Sequence, residues 1–129
     1  MKKIIISSAV RTAIGSFGKT LKNISAVELG SAVISEAMKK SKIKPSDVDE
    51  VIMGQVLTAG CGQNPARQSA IKSGVPVEKP SYLVNQVCGS GLRSIVSAYH
   101  SILTNSSKIV VAGGQESMSS SRHCIHLRD

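Results

Sequence analysis

SYLVNQVCGSGLRSIVSAYHSILTNSSKIVVAGG, residues 81–114, is the stretch whose reading decides the fold. It begins with an apolar run at 81–87, breaks at Cys88-Gly-Ser-Gly, and resumes with a different period. Leu92, Ile95, Val96, Tyr99, Ile102 and Leu103 recur at steps of three and four, the spacing of one face of an α-helix. The polar break near Asn105 is followed by KIVVAGG at 108–114, apolar without alternation, as a strand buried on both faces should be. Strand, helix and strand joined by short connections predict a parallel pair with a crossover helix.

The pattern continues upstream. EVIMGQVL at 50–57 reads as another strand. Asn64-Pro65 then reads as a helix N-cap and first-turn proline, with Gly74 as the stop. Further back, Ser25 and Glu28 form an S-x-x-E capping box. Behind it Ala26, Leu29, Gly30, Val33 and Ala37 fall at helical spacing, with Val27, Ile34 and Met38 beside them. Pro45 ends any continuation. KKIIISSAV at 2–10 has the β-branched content of a core strand, and Arg11 follows too soon for a secretory signal. The sum is βαβαβαβ, an α/β chain with a mostly parallel, four-stranded sheet. No internal repeat or linker interrupts it.

Composition narrows the function classes. With 129 residues the chain fits one ordinary domain. No run approaches the ~18 apolar residues of a membrane span, so no membrane association is expected. Sixteen Lys and Arg against eight Asp and Glu give a net charge of +8, which invites a nucleic-acid reading. Against it, Phe17, Tyr82 and Tyr99 are the whole aromatic complement, too few for a base-stacking platform. The run Lys39, Lys40, Lys42 and Lys44 suits the negative end of a helix. Cys61, Cys88 and Cys124 are odd in number and far apart, with no CxxC pair. That argues against a disulfide framework or a structural zinc site and for reduced thiols in the cytoplasm.

The chemistry concentrates at Cys88, where a strand ends and the best helix begins. Unpaired N–H groups and the positive end of the helix dipole favour a thiolate there. Gly89 and Gly91 let a substrate carbonyl approach the backbone. Three readings stay open on spacing alone: a covalent nucleophile, an inert core cysteine, and a phosphate-cradling glycine loop. A dinucleotide fingerprint fits poorly, because Ser94 stands where its last glycine should be. A papain-like nucleophile fits no better, because Gly91 replaces the second cysteine of that signature.

Four stretches together resemble the thiolase family: NQVCGSGLRS around Cys88, RTAIGSFG at 11–18, GQNPARQSA at 62–70 and GGQESMS at 113–119. The CGSGLR form is similar to the biosynthetic acetoacetyl-CoA branch. The tail RHCIHLRD resembles the start of a loop that tetramerises short-chain members. The resemblance implies a layered thiolase fold, with residues 1–115 as a partial N-terminal domain and 116–129 as the start of the tetramerisation segment. It implies that Cys88 carries the acyl group as a thioester, with its backbone N–H in an oxyanion hole. The implied reaction is Claisen condensation of two acetyl-CoA to acetoacetyl-CoA, and thiolysis in reverse. Coenzyme A thioesters are then substrates, and no separate cofactor or metal is implied. A homotetramer is the implied assembly of full-length members, whose two halves share a central helical layer.

Other family elements have no counterpart in these 129 residues. A histidine from a GHP motif, a second cysteine acting as acid/base and an asparagine from an NEAF-like motif are missing. His123 and His126 fall in the tetramerisation segment and read as loop residues. The chain thus resembles about the first third of a thiolase and is expected to be inactive alone. Alternatives are a non-catalytic remnant, a subunit that pairs with a complementary thiolase chain, or a small α/β anion-binding module.

Overall fold

The structure is a computed structural model that describes residues 3–127. Its sheet has three parallel strands: β1 (Glu50–Gly54), β2 (Ser81–Val84) and β3 (Val110–Gly114), in the order β2-β1-β3. Val51 pairs with Ser81 on one side, and Glu50 with Val110 on the other. The chain passes from β1 outward to β2 through α2 (Pro65–Lys72), then back past β1 to β3 through α3 (Ser90–Leu103). Crossovers of one hand running in opposite directions put their helices on opposite faces.

The side chains obey this geometry. Val51 and Met53 join the main core with Ile34 and Met38 of α1 (Ala26–Ser41), Ala66 and Ala70 of α2, and Val48 and Val75. Ile52 and Gly54, one step out of phase on the strand, face α3. All of Val51–Gly54 is buried, as the central strand of a covered parallel sheet must be.

Helix boundaries follow the sequence signals. The Ser25–Glu28 capping box closes in both directions, and these bonds hold the Glu28 carboxyl below its ordinary value. Asn64 caps α2 through Arg67 N–H, Pro65 opens the helix, and Gly74 takes φ +89° just beyond its end. The buried stripe of α1 runs through Ala26, Gly30, Ile34 and Met38, with Ser31. Leu29, Val33 and Ala37 flank it half-buried, so the stripe is rotated slightly from the expected face. Asp49 ties β1 to the start of β3 by accepting from Lys108 and Ile109 N–H at 2.8 and 3.0 Å, which lowers its carboxyl.

Two expectations need correction. The expected first strand at 2–10 does not form: Lys2 lies outside the described residues, and 3–10 belong to no ladder. The segment instead lies against the C-terminal half of α1, with Ser8 Oγ donating to Ala37 C=O at 3.0 Å and Ser7 bonded to Ser41. Ile5 and Ile6 stay exposed. β-Branched residues supply propensity, but only a neighbouring strand supplies a ladder. The sheet therefore has three strands rather than four, while its class and parallel sense are as expected.

The second correction concerns α3. Its sheet-facing residues are Ser90, Ser94 and Ala98, not the apolar series. Leu92 is 69% exposed, and Ile95, Tyr99 and Leu103 are exposed as well. The cause lies in the strands beneath it. Gly54 and Gly114 bring the sheet backbone so close to the start of α3 that only small residues fit between. Ser94 Oγ donates directly to Gly113 C=O at 2.8 Å.

Candidate functional site

β2 stops at Val84, three residues earlier than its apolar run suggested, and Asn85–Gly89 form a tight turn into α3. Cys88 sits near the end of that turn, at the C-terminal edge of the sheet, where α/β proteins place their ligands. The thiol is free and exposed, which removes the reading of Cys88 as a core cysteine. Neither its Sγ nor its N–H is bonded to another of the described residues. The amides after it are engaged: Gly89 N–H donates to Gln86 C=O at 3.0 Å, and Ser90 N–H to Val87 C=O at 3.1 Å. A free thiol beside a free N–H at a helix start can attack a carbonyl carbon and hold the oxygen that becomes negative.

The seat of this turn is made of glycine. A Cβ at Gly54 would come within 2.6 Å of Gly91 N and Ser90 O, both backbone atoms. Gly114 lies against Gly91, a Cβ there meeting its Cα at 3.3 Å. Backbone cannot swing aside as a side chain can. Gly54→Ala is therefore expected to lift the start of α3 and destabilise the chain by about 1–3 kcal/mol, as overpacking does. A lowered urea midpoint with an unchanged slope checks this; an unchanged midpoint contradicts the close seat.

A buried polar chain fixes the rest of the sheet edge. Ser69 Oγ donates to Gln115 Oε1 at 2.7 Å, Gln115 Nε2 to Gln55 Oε1 at 2.9 Å, and Gln55 Nε2 to Leu57 C=O at 2.8 Å. Glu116 adds a carboxylate that accepts from Val56 N–H at 2.8 Å. Together they hold the loop after β1, where half-buried Cys61 sits 3.5 Å from Gln55 Nε2. A cleft of about 340 Å³ lies beside that loop, lined among others by Val27, Glu28, Leu57, Cys61, Lys72 and Arg122. Cys88 is not part of it.

The other residues that the sequence singled out lie apart. His123, Cys124 and His126 are exposed in the tail, and Cys124 Sγ reaches only Arg122 C=O, at 3.9 Å. Among the described residues no group of three or more His, Cys, Asp or Glu side chains could hold a metal ion. Sequence reasoning missed the roles of Gly54 and Ser90. A glycine inside a β-branched strand is a signal of close backbone approach that could have found the first.

Comparison with known proteins agrees with this geometry. The family model described as "Thiolase, N-terminal domain" matches residues 4–128. An acetyl-CoA acetyltransferase of Cupriavidus necator is 53% identical over 125 residues, which is 97% of this chain and 32% of the relative. The mouse protein named "Acetyl-CoA acetyltransferase, cytosolic" is 48% identical over the same shares. A thiolase of Ascaris suum, solved in complex with coenzyme A, superposes with a TM-score of 0.91 at 42% identity, over 93% of this chain and 31% of that one. The chain spans about a third of the length of these relatives.

Proposed function

The chain belongs to the thiolase family, and on that premise we propose that it supplies the acyl-accepting half of a thiolase active site, with Cys88 as nucleophile. The observation that carries this reading is the exposed Cys88 thiol beside its own unbonded N–H, within NQVCGSGLRS at the β2–α3 turn. The proposed substrate is acetyl-CoA. Cys88 sulfur would attack the thioester carbonyl, the bond to coenzyme A sulfur would break, and the coenzyme A thiol would leave with a proton. The Cys88 N–H would hold the carbonyl oxygen as it gains negative charge. A second acetyl-CoA, deprotonated at its α-carbon, would then attack the acyl-cysteine. That step forms the carbon–carbon bond of acetoacetyl-CoA and frees the Cys88 thiolate; thiolysis is its reverse.

On this reading residues 1–115 are thiolase N-terminal domain, and 116–129 lead into a tetramerisation loop. The base for the α-carbon would come from polypeptide beyond these 129 residues, whether a continuation of the same chain or a complementary thiolase chain. The cytosolic name of the mouse relative supports a cytoplasmic setting. Among the described residues no helix is long and apolar enough to cross a membrane.

The test is competitive labelling. Iodoacetamide at limiting dose, followed by peptide mapping, is expected to modify Cys88 before Cys61 and Cys124, because a helix start favours thiolate. Cys61 serves as the half-buried reference and Cys124 as an exposed one outside any helix. Equal modification of Cys88 and Cys124 in folded protein would remove the nucleophile assignment.

A further inference from the structure

We propose that Ser90 is a positioning residue for Cys88, an inference that rests on the nucleophile reading above. The residue before Cys88 is Val87, and its φ is +49°. A β-branched residue rarely enters this left-handed region, so the surrounding structure must hold it there. Ser90 supplies two of the holding bonds. Its hydroxyl donates to Val87 C=O at 2.6 Å and accepts from Gln86 N–H at 2.8 Å. Asn85 Oδ1 completes the clamp by accepting Val87 N–H at 3.0 Å. The peptide groups on both sides of Val87 are thus tied down, and none of the three bonds touches the thiol.

The clamp has a fixed anchor. Ser90 is buried at 4% exposure, and its backbone lies against Gly54 of the central strand. Its hydroxyl therefore stands at a set position relative to the sheet rather than moving with the turn. Relaxing Val87 to negative φ would rotate the following peptide plane, which carries the Cys88 N–H. Ser90 would then act on Cys88 through backbone alone, keeping that N–H unbonded and the thiol at the helix start. A serine that only stabilised the helix end would lower stability without changing how Cys88 reacts.

The experiment uses the full 129-residue chain and the iodoacetamide rate at each cysteine. Ser90→Ala is expected to slow Cys88 by about tenfold, as displacement of the thiol from the helix start does. Cys61 and Cys124 should keep their rates. Adding Val87→Asn to Ser90→Ala should recover the Cys88 rate, because asparagine accepts left-handed φ without a clamp. If Ser90→Ala loses its far-ultraviolet circular dichroism, the double variant should regain both fold and rate. A double variant that stays unfolded, or folds without recovering the rate, overturns the positioning role. So does a folded Ser90→Ala chain with the wild-type rate at Cys88. Wild-type chain with no preference for Cys88 over Cys124 instead overturns the nucleophile reading, and the positioning role with it.

Discussion

Incubated alone with acetyl-CoA, the 129-residue chain is expected to form no acetoacetyl-CoA above a Cys88→Ala control. Condensation needs a base at the α-carbon of the second substrate and a group that draws the proton from the attacking thiol. The described residues offer neither at Cys88, whose sulfur has no hydrogen-bond partner. His100 is exposed on α3, ten residues beyond Ser90, or about 15 Å along the axis at 1.5 Å per residue. His123 and His126 are exposed in the tail. A positioned acid or base contributes typically ~10²–10⁴-fold, so lacking two of them costs on the order of 10⁴-fold or more. Slow acetylation of Cys88 can persist, because the thiol and its N–H are present. Mass spectrometry of the protein should find at most one acetyl group, on Cys88, while the assay for acetoacetyl-CoA stays at the control level. Product above the Cys88→Ala control would show that these 129 residues hold a base that the structure does not place at the site.

The parts of this fold legible in the sequence are those set by local chemistry. Ser25 and Glu28 mark the start of α1, and Asn64-Pro65 and Gly74 bracket α2, because caps and breakers act within a few residues of chain. Cys88 was legible for a similar reason: a strand, a glycine-bearing turn and a periodic helix are consecutive. Residues 3–10 misled because their isoleucines express strand propensity, whereas pairing depends on which element lies alongside. α3 misled in a more instructive way. Its period announced an amphipathic helix correctly, but not which face meets the sheet. That choice was made by Gly54 and Gly114, far apart in sequence and adjacent in space, which leave room only for small residues such as Ser90, Ser94 and Ala98. The clamp at Val87 was illegible for the same reason as any backbone conformation stabilised by specific bonds. Nothing in the composition of NQVCGSG requires a valine at positive φ.

The reversed face of α3 leads to the second large effect: alone in solution, the chain is expected to self-associate through it. Leu92, Ile95, Tyr99 and Leu103 form a continuous exposed stripe on a helix whose other side is already committed to the sheet. β3 has one paired edge, toward β1, and a free one, which offers strand pairing as well. Covering roughly 400 Å² of such surface on each of two chains gives about 20 kcal/mol at ~25 cal/mol per Å². Set against ~4–15 kcal/mol for immobilising two chains, the remainder is about 5–16 kcal/mol, a dimer of sub-millimolar affinity or tighter. A net charge of +8 opposes this at low salt and less so as salt screens it, so association should grow with ionic strength. Light scattering should therefore find dimers or larger species at sub-millimolar concentration, and a hydrophobic dye should bind. Leu92→Glu with Leu103→Glu should suppress both signals without loss of helix, because neither side chain lies on the buried face of α3. If both signals persist in that variant, the α3 stripe is not what holds the copies together. A monodisperse wild-type monomer that binds no dye at high salt would mean that the stripe is too small or too well solvated to drive association.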